Sequence, residues 1–340
     1  MCGLAGATGQ TVRVSPSRPP ARTSAPDPAP DPAPGVERVW RPRRPVSLGA
    51  ILTIFRRGSG DPTFETDQGQ GWWLGLPTTL GPATLHLQAR PADDEVVARA
   101  WGPGAEWVLD QVPALLGDGD DADGFVAHHP QVARARAQYA GWHVPRSGLV
   151  MHALVPAVIE QKVTGQEAFS AQRVLVRRYG QRAPGPGAAR GLWVAPDPRT
   201  WATIPSWEWL RASVDGARSG TAVRAAQRAG RLEEAASLGL EEAHRRLRTI
   251  PGIGVWTAAE VAQRALGDPD SVSFGDYHVA KNITWALTGE ALDDDACAEL
   301  LEPYAGHRYR VQRLLELDGA VRPRRGPRMA PRRHLPTHPR

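Results

Sequence analysis

The sequence predicts an α+β protein, with a small antiparallel β-sheet domain followed by a mostly α-helical domain. Two textures predict it. Between Val46 and about Arg90, short apolar runs alternate with Gly and Pro turns, the pattern of short paired strands. After Pro91 the apolar residues recur at helical spacing almost to the end of the chain. At 340 residues the chain is long enough to bury a large core and to form two domains with flanking tails.

The elements follow in order. Residues 1–40 include Pro26, Pro28, Pro30, Pro32 and Pro34; proline at alternate positions sustains neither helix nor central strand, so this is read as an extended, disordered leader. Residues 41–92 are assigned to the sheet, with strands at 50–55, 71–76 and 83–89, and with Trp72 and Trp73 as packing residues. Residues 93–320 are assigned to the helical domain, with helices at 93–100, 106–116, 130–140, 148–179, 206–214, 221–236, 240–248, 255–266, 277–287 and 294–317. The acidic stretch 117–124 is a loop whose carboxylates lack the terminal glutamate that a calcium loop needs. Residues 321–340, rich in Arg and Pro, form a basic tail read as disordered, either adding non-specific affinity for phosphates or merely solvated.

Composition excludes several classes. No run of 18 apolar residues occurs, and the amino terminus lacks the charged-then-apolar pattern of a signal peptide, which predicts a cytoplasmic protein without membrane contact. Cys2 and Cys297 are the only cysteines, so neither a disulfide framework nor a four-cysteine iron–sulfur cluster is available. The net charge of +5 suits a partner that carries phosphates. The excess of arginine over lysine, with abundant alanine, glycine and proline, also matches the codon bias of high-GC bacteria.

The most informative stretch is Leu247-Arg248-Thr249-Ile250-Pro251-Gly252-Ile253-Gly254-Val255-Trp256-Thr257. Leu240, Ala243 and Leu247 form the apolar side of a helix, Pro251 ends it, and a second helix resumes at about Thr257. Gly252 and Gly254 have no side chain to hold a partner away, and the unpaired N–H groups at the start of the second helix favour an anion. Gly252, Gly254 and Thr257 are therefore candidate contacts to a phosphate backbone, positioning it without reading bases. The alternative is an ordinary turn between two helices. Twenty-two residues after Gly254 comes Asp276, at the start of another helix. An aspartate there is a favoured cap, and the helix dipole favours negative charge at the same place. Such a carboxylate can also stabilise an oxocarbenium-like sugar or activate a water, so capping and catalysis are compatible.

The pattern Leu-x-x-Ile-Pro-Gly-Ile-Gly-x-Trp-Thr-Ala at 247–258, with Asp276 following, resembles the superfamily of DNA glycosylases named for the helix–hairpin–helix, a Gly/Pro-rich stretch and a final aspartate. Within that superfamily the chain resembles the 3-methyladenine DNA glycosylase II type, strongly over 240–290 and more weakly over about 130–317. The resemblance implies a base-excision repair enzyme, expected to be a monomer, that binds damaged double-stranded DNA, flips the damaged base into a pocket and cleaves its N-glycosidic bond with Asp276. Members that also cut the strand use a lysine two residues after the second hairpin glycine. That position here is Trp256, and the chain's two lysines are Lys162 and Lys281, so the resemblance implies a monofunctional enzyme that leaves an abasic site.

Trp256 is then either an aromatic wall suited to a cationic alkylated base or a packing residue. The segment Val158-Ile159-Glu160-Gln161-Lys162-Val163-Thr164 resembles the stretch that faces DNA in this family. Gln161 falls near the pocket, and Lys162 falls at the residue pushed into the gap, or is a plain surface charge on a helix. The hairpin carbonyls of Arg248, Ile250 and Ile253 match those that hold a monovalent cation, Na or K; no other cofactor is implied. Three positions depart from the family. Glu160 replaces a glycine, Glu260 stands where the alkylpurine enzyme has tyrosine, and Leu314-Leu315-Glu316-Leu317 stands where it has tryptophan, with Tyr304, His307 and Tyr309 nearby as substitutes. Glu260 and Glu316 leave the preferred base open. The alternatives are a glycosylase for another damaged base and a non-catalytic DNA-binding protein on the same scaffold.

Overall fold

The computed structural model describes residues 35–67 and 71–323. A five-stranded antiparallel sheet is built from β1 (Val36–Trp40), β2 (Phe64–Thr66), β3 (Trp72–Thr78), β4 (Gly81–Arg90) and β5 (Glu95–Trp101), in the order β1-β5-β4-β3-β2. Between β1 and β2 lies the short helix α1 (Leu48–Leu52). Next come α2 (Ala105–Leu115), α3 (Pro130–Gln138), α4 (Val150–Glu160) and α5 (Gly165–Tyr179). A small ribbon of β6 (Gln181–Arg182) and β7 (Trp193–Val194) encloses α6 (Pro186–Ala189). The remaining helices are α7 (Pro198–Thr203), α8 (Ser206–Arg211), α9 (Gly216–Ala226), α10 (Ala229–Glu233), α11 (Leu240–Leu247), α12 (Val255–Val261), α13 (Val279–Thr288), α14 (Asp294–Leu301) and α15 (Arg308–Leu317). None of the described helices is long and apolar enough to cross a membrane.

The α+β class holds, and several local assignments change; 221–236 is divided between α9, which begins earlier at Gly216, and α10, and 294–317 is divided into α14 and α15. Residues 36–40 are not leader but edge strand β1, paired with β5 over Val36–Ala100 through Trp40–Val96. Residues 93–100 are not a helix: β5 lies between β1 and β4, and the sheet thus runs past residue 92 to Trp101. Val96, Val97, Ala98 and Ala100 are all buried there, and a strand covered on both faces shows an unbroken apolar run that imitates a helix face. Residues 50–55 are not a strand; the Ser47 side chain accepts the N–H of Ala50 and starts α1, which tightens into a 3₁₀ turn at 53–55. Residues 148–179 are two helices, broken at Lys162, whose φ of 57° is left-handed, and restarted by a capping box between Thr164 and Glu167. The segments at 1–34 and 324–340, which hold most of the leader and tail, lie outside the described residues.

Two cores organise the molecule. One joins the sheet to α2, α3 and, from the far end of the chain, α13, α14 and α15. The other is formed by α4, α5 and α7 through α12. The acidic loop is locked to α15 rather than open to a metal: Arg310 donates to both carboxylate oxygens of Asp120, at 2.8 and 2.7 Å, with both side chains almost wholly buried. A passage from one core to the other occurs twice, at 146–150 and at 267–276, and the second passage carries Asp276.

His152, on α4, faces both a cavity of about 60 Å³ under α5 and α7 and a smaller one under the sheet. Its Nδ1 is shielded from solvent and has no hydrogen-bond partner, and burial pushes the imidazole pKa down to about 4. The folded protein therefore binds this proton more weakly than the unfolded chain does. Stability falls as pH drops from about 6.5 toward 4, by up to about 3 kcal/mol from this group. Urea denaturation at pH 7, 5.5 and 4.5 checks it: the wild type should lose more stability over this range than a His152→Gln variant, and parallel curves would refute the assignment.

Candidate functional site

The hairpin lies between α11 and α12. The N–H of Ile253 donates to the Ile250 carbonyl at 3.0 Å and closes the turn. Two glycines have different reasons to be there. Gly252 has φ 98°, and a Cβ on it would stand 2.1 Å from Thr221 Oγ1, so the fold itself demands glycine. Gly254 has an ordinary φ of −94°, and a Cβ there would meet nothing within 4 Å. Its bare backbone faces open space at the N-terminus of α12, where the amides of Val255, Trp256 and Thr257 begin the helix.

Helix α9 braces this turn. Arg224 and Thr221 donate to the Pro251 carbonyl at 3.1 and 3.4 Å, while Arg218, buried, donates to the Ile159 carbonyl at the end of α4. Gln161 then bridges the two braced pieces: its Nε2 donates to the Gly252 carbonyl at 2.9 Å and to Thr257 Oγ1 at 2.8 Å. That pairing sets Lys162, exposed and in its left-handed conformation, at the tip of a turn beside the hairpin instead of along a helix face. The surface-helix reading of Lys162 is thereby corrected.

Asp276 lies just before α13. One carboxylate oxygen, Oδ1, accepts the N–H groups of His278 and Val279 at 2.7 and 3.1 Å, so the acid holds the first amides of the helix from two residues ahead of its N-cap, His278. The other oxygen, Oδ2, has no hydrogen-bond partner among the described residues. Tyr277, exposed beside it, lies under the Lys281 ammonium at 4.1 Å. Trp256 is half-buried on the first turn of α12, and its indole N–H is shielded without a partner.

The two departures Glu160 and Glu260 prove to be one feature. Arg57 pairs with Glu160 at 2.6 Å, and Arg264 pairs with Glu260 at 2.7 Å. Burial pushes the Glu160 carboxyl above its ordinary range, in spite of Arg57. Burial acts on Glu260 in the same sense, but Arg264, the Ser273 hydroxyl and Arg57 together outweigh it and hold that carboxyl low. Glu316 is also taken up, by Gln312 at 2.9 Å and Arg313 at 3.1 Å. Of the aromatic substitutes, Tyr304 accepts the N–H of His129 at 3.0 Å and His307 packs on Phe125, so both are committed elsewhere. Tyr309 borders the network: burial pushes its hydroxyl pKa up, the charges of Arg313, Glu316, Arg264 and Glu260 act on it, and it has no hydrogen-bond partner.

The structure gathers Gln161, Gly252 and Thr257 into one hydrogen-bonded cluster, and around the candidate residues it adds Arg57, Arg264, Ser273, Thr221 and Arg224, which the sequence analysis did not single out. The i,i+4 spacing of Glu260 and Arg264 was a visible signal for one of these. Arg57 pairs across 103 residues and left no local trace.

No protein-family model matches the sequence, and no curated protein matches it. Solved structures do. The chain is similar to a 3-methyladenine DNA glycosylase from Archaeoglobus fulgidus, with a TM-score of 0.69 at 18% identity over 83% of this chain and 98% of that one. It is also similar to an 8-oxoguanine glycosylase/lyase from Clostridium acetobutylicum in complex with double-stranded DNA, with a TM-score of 0.61 at 12% identity over 84% and 97%. These chains share its fold.

The contrast between the glycines is testable. Gly252→Ala should cost about 2 kcal/mol or more in urea denaturation. Gly254→Ala should keep wild-type stability, since a Cβ there meets nothing within 4 Å, and if the bare backbone is a phosphate contact it should weaken binding to duplex DNA severalfold in fluorescence anisotropy. Unchanged affinity in Gly254→Ala would remove the hairpin as a phosphate site.

Proposed function

We propose that this chain, which has the fold of the helix–hairpin–helix DNA glycosylases, is itself a monofunctional DNA glycosylase that releases a damaged base from double-stranded DNA and leaves an abasic site. The observation that carries this reading is Asp276, a carboxylate with one oxygen tied to the start of α13 and the other without a hydrogen-bond partner among the described residues, three residues after Ser273, which bonds to Glu260 on the hairpin helix. The hairpin amides and Lys162 would hold the backbone on either side of the flipped nucleotide. As the base leaves with the bonding electrons of its C1′–N bond, positive charge develops on the sugar, and Oδ2 of Asp276 would face it. Water would then add at C1′ and give up its proton to Asp276. No lysine follows the hairpin at the position needed for a Schiff base, so the strand stays whole.

The carbonyls of Arg248, Ile250 and Ile253, in the loop between α11 and α12, are neutral oxygen donors, a donor set that suits Na or K rather than a divalent ion. Bound there, such a cation would strengthen the hold on a phosphate.

Alkylated bases of the 3-methyladenine type are the first substrates of this reading, with Trp256 and Gln161 beside the pocket. A second reading, a glycosylase for another damaged base, is favoured by the charged Glu260–Arg264 pair standing one turn from Trp256, where an aromatic side chain would suit a cationic base better. The enzyme would act as a monomer on the DNA of a bacterial cytoplasm.

Asp276→Asn separates catalysis from capping, because asparagine caps a helix as well as aspartate does. Free-base release from methylated duplex DNA should fall by about a hundredfold or more, with abasic-site binding and thermal stability close to wild type. Strands treated with the wild type should stay intact until alkali is added. Full release by Asp276→Asn would exclude this carboxylate as the essential acid.

A further inference from the structure

Asp276 lies near the end of the twelve-residue crossing, 267–278, from the π-helical turn after α12 to the start of α13. The middle of this crossing is held by one side chain. Ser273, 1% exposed, uses every polar group it has. Its hydroxyl donates to Glu260 Oε1 at 2.6 Å and accepts from Gln263 Nε2 at 2.8 Å. Its backbone N–H donates to Gln312 Oε1 at 3.2 Å, and its carbonyl accepts the N–H of Asp276, also at 3.2 Å. A serine hydroxyl has a single proton, so the direction of this chain is set: Gln263 to Ser273 to Glu260.

Glu260 is fixed in turn. Its Oε2 takes Arg264 at 2.7 Å, and Arg264 also reaches the carbonyls of Glu260 and Ile54 at 2.9 and 3.2 Å. The π turn at 262–266 puts Gln263 and Arg264 on consecutive positions that serve Ser273 and Glu260 separately. At the other end of the turn, immediately before Asp276, Gly275 donates its N–H to Asp294 at 2.8 Å. The turn that presents the carboxylate is therefore pinned at both ends, by side chains from α12, α14 and α15.

We propose that Ser273 and Glu260 are positioning residues for Asp276, acting through the Ser273–Asp276 turn. This inference rests on the reading of Asp276 as the essential acid. It gives Glu260 a duty other than lining the base pocket: its oxygens face Ser273 and Arg264. A misplacement of the acid by an ångström is enough to slow the chemical step by one to two orders of magnitude, without any change in how DNA is held.

The test uses single-turnover base release, abasic-site binding and thermal denaturation on five proteins: wild type, Ser273→Ala, Ser273→Thr, Glu260→Gln and Asp276→Asn. Ser273→Ala removes the donor to Glu260 and should slow release by about tenfold or more, with abasic-site Kd within twofold of wild type. Ser273→Thr keeps the hydroxyl and should restore most of the rate. Glu260→Gln, which can still accept from Ser273, should fall between the two. A wild-type rate in Ser273→Ala, a loss that Ser273→Thr does not rescue, or a loss of rate and binding in equal measure would each overturn the proposal while leaving Asp276 in its role. Full release by Asp276→Asn, or no release by the wild type from a panel of alkylated, oxidised and deaminated bases, would instead overturn the glycosylase reading and this inference with it. Hydrogen exchange adds a readout independent of activity. The amides of residues 274–279 should exchange faster in Ser273→Ala than in Ser273→Thr, and equal protection would count against the pinning.

Discussion

Two buried ion pairs, Arg57–Glu160 and Arg264–Glu260, stand where the parts of this protein meet, and the arrangement of those parts depends on them. Arg57 comes from the segment between α1 and β2, Glu160 ends α4, Glu260 lies on α12 and Arg264 on the π turn that follows. Burying charges is costly unless each is paired, and removing one partner of such a pair costs about 3–5 kcal/mol. The network is satisfied internally and through Ser273, Gln263 and the Ile54 carbonyl, so it ties pieces far apart in the chain to one geometry. Its apolar surroundings alone would not choose that geometry, because hydrophobic contact has no direction.

From this junction the candidate site follows in two branches. Glu160 precedes Gln161, whose amide holds both sides of the hairpin, and then Lys162, which the break in the helix turns outward. Glu260 leads through Ser273 to Asp276. The element proposed to grip the backbone and the element proposed to act on the sugar thus share a common support. The hairpin has its own brace in α9, whose Thr221 leaves no room for a side chain at residue 252. The hairpin is rigid where it meets the protein and bare where it meets solvent, at Gly254.

The helical part is also less unitary than its sequence. The last three helices pack on the sheet, in one core with α2 and α3, whereas α4 to α12 close around a second core. Asp276 lies on the chain's crossing between the two. A group carried on such a crossing is set by contacts from both sides, which is why α14 and α15, remote in sequence from the hairpin, contribute Asp294 and Gln312 to its support.

By itself the sequence determined the α+β class, the hairpin with its two glycines, the carboxylate at the start of α13 and the absence of a lysine after the hairpin. Each depends on chemistry confined to a few neighbouring residues: a proline that stops a helix, glycine's missing Cβ, aspartate's affinity for free amides. Only the tertiary structure decided that residues 95–101 are a strand, since burial on both faces erases the alternation that marks one. It alone divided 148–179 at Lys162 and recruited residues 36–40 to the sheet edge. It alone showed Glu160 and Glu260, which read separately as departures from a pattern, to be halves of one charge-balanced support. Pairing across 103 residues is invisible to any local rule, because what stabilises a buried carboxylate is the cation that folding brings beside it.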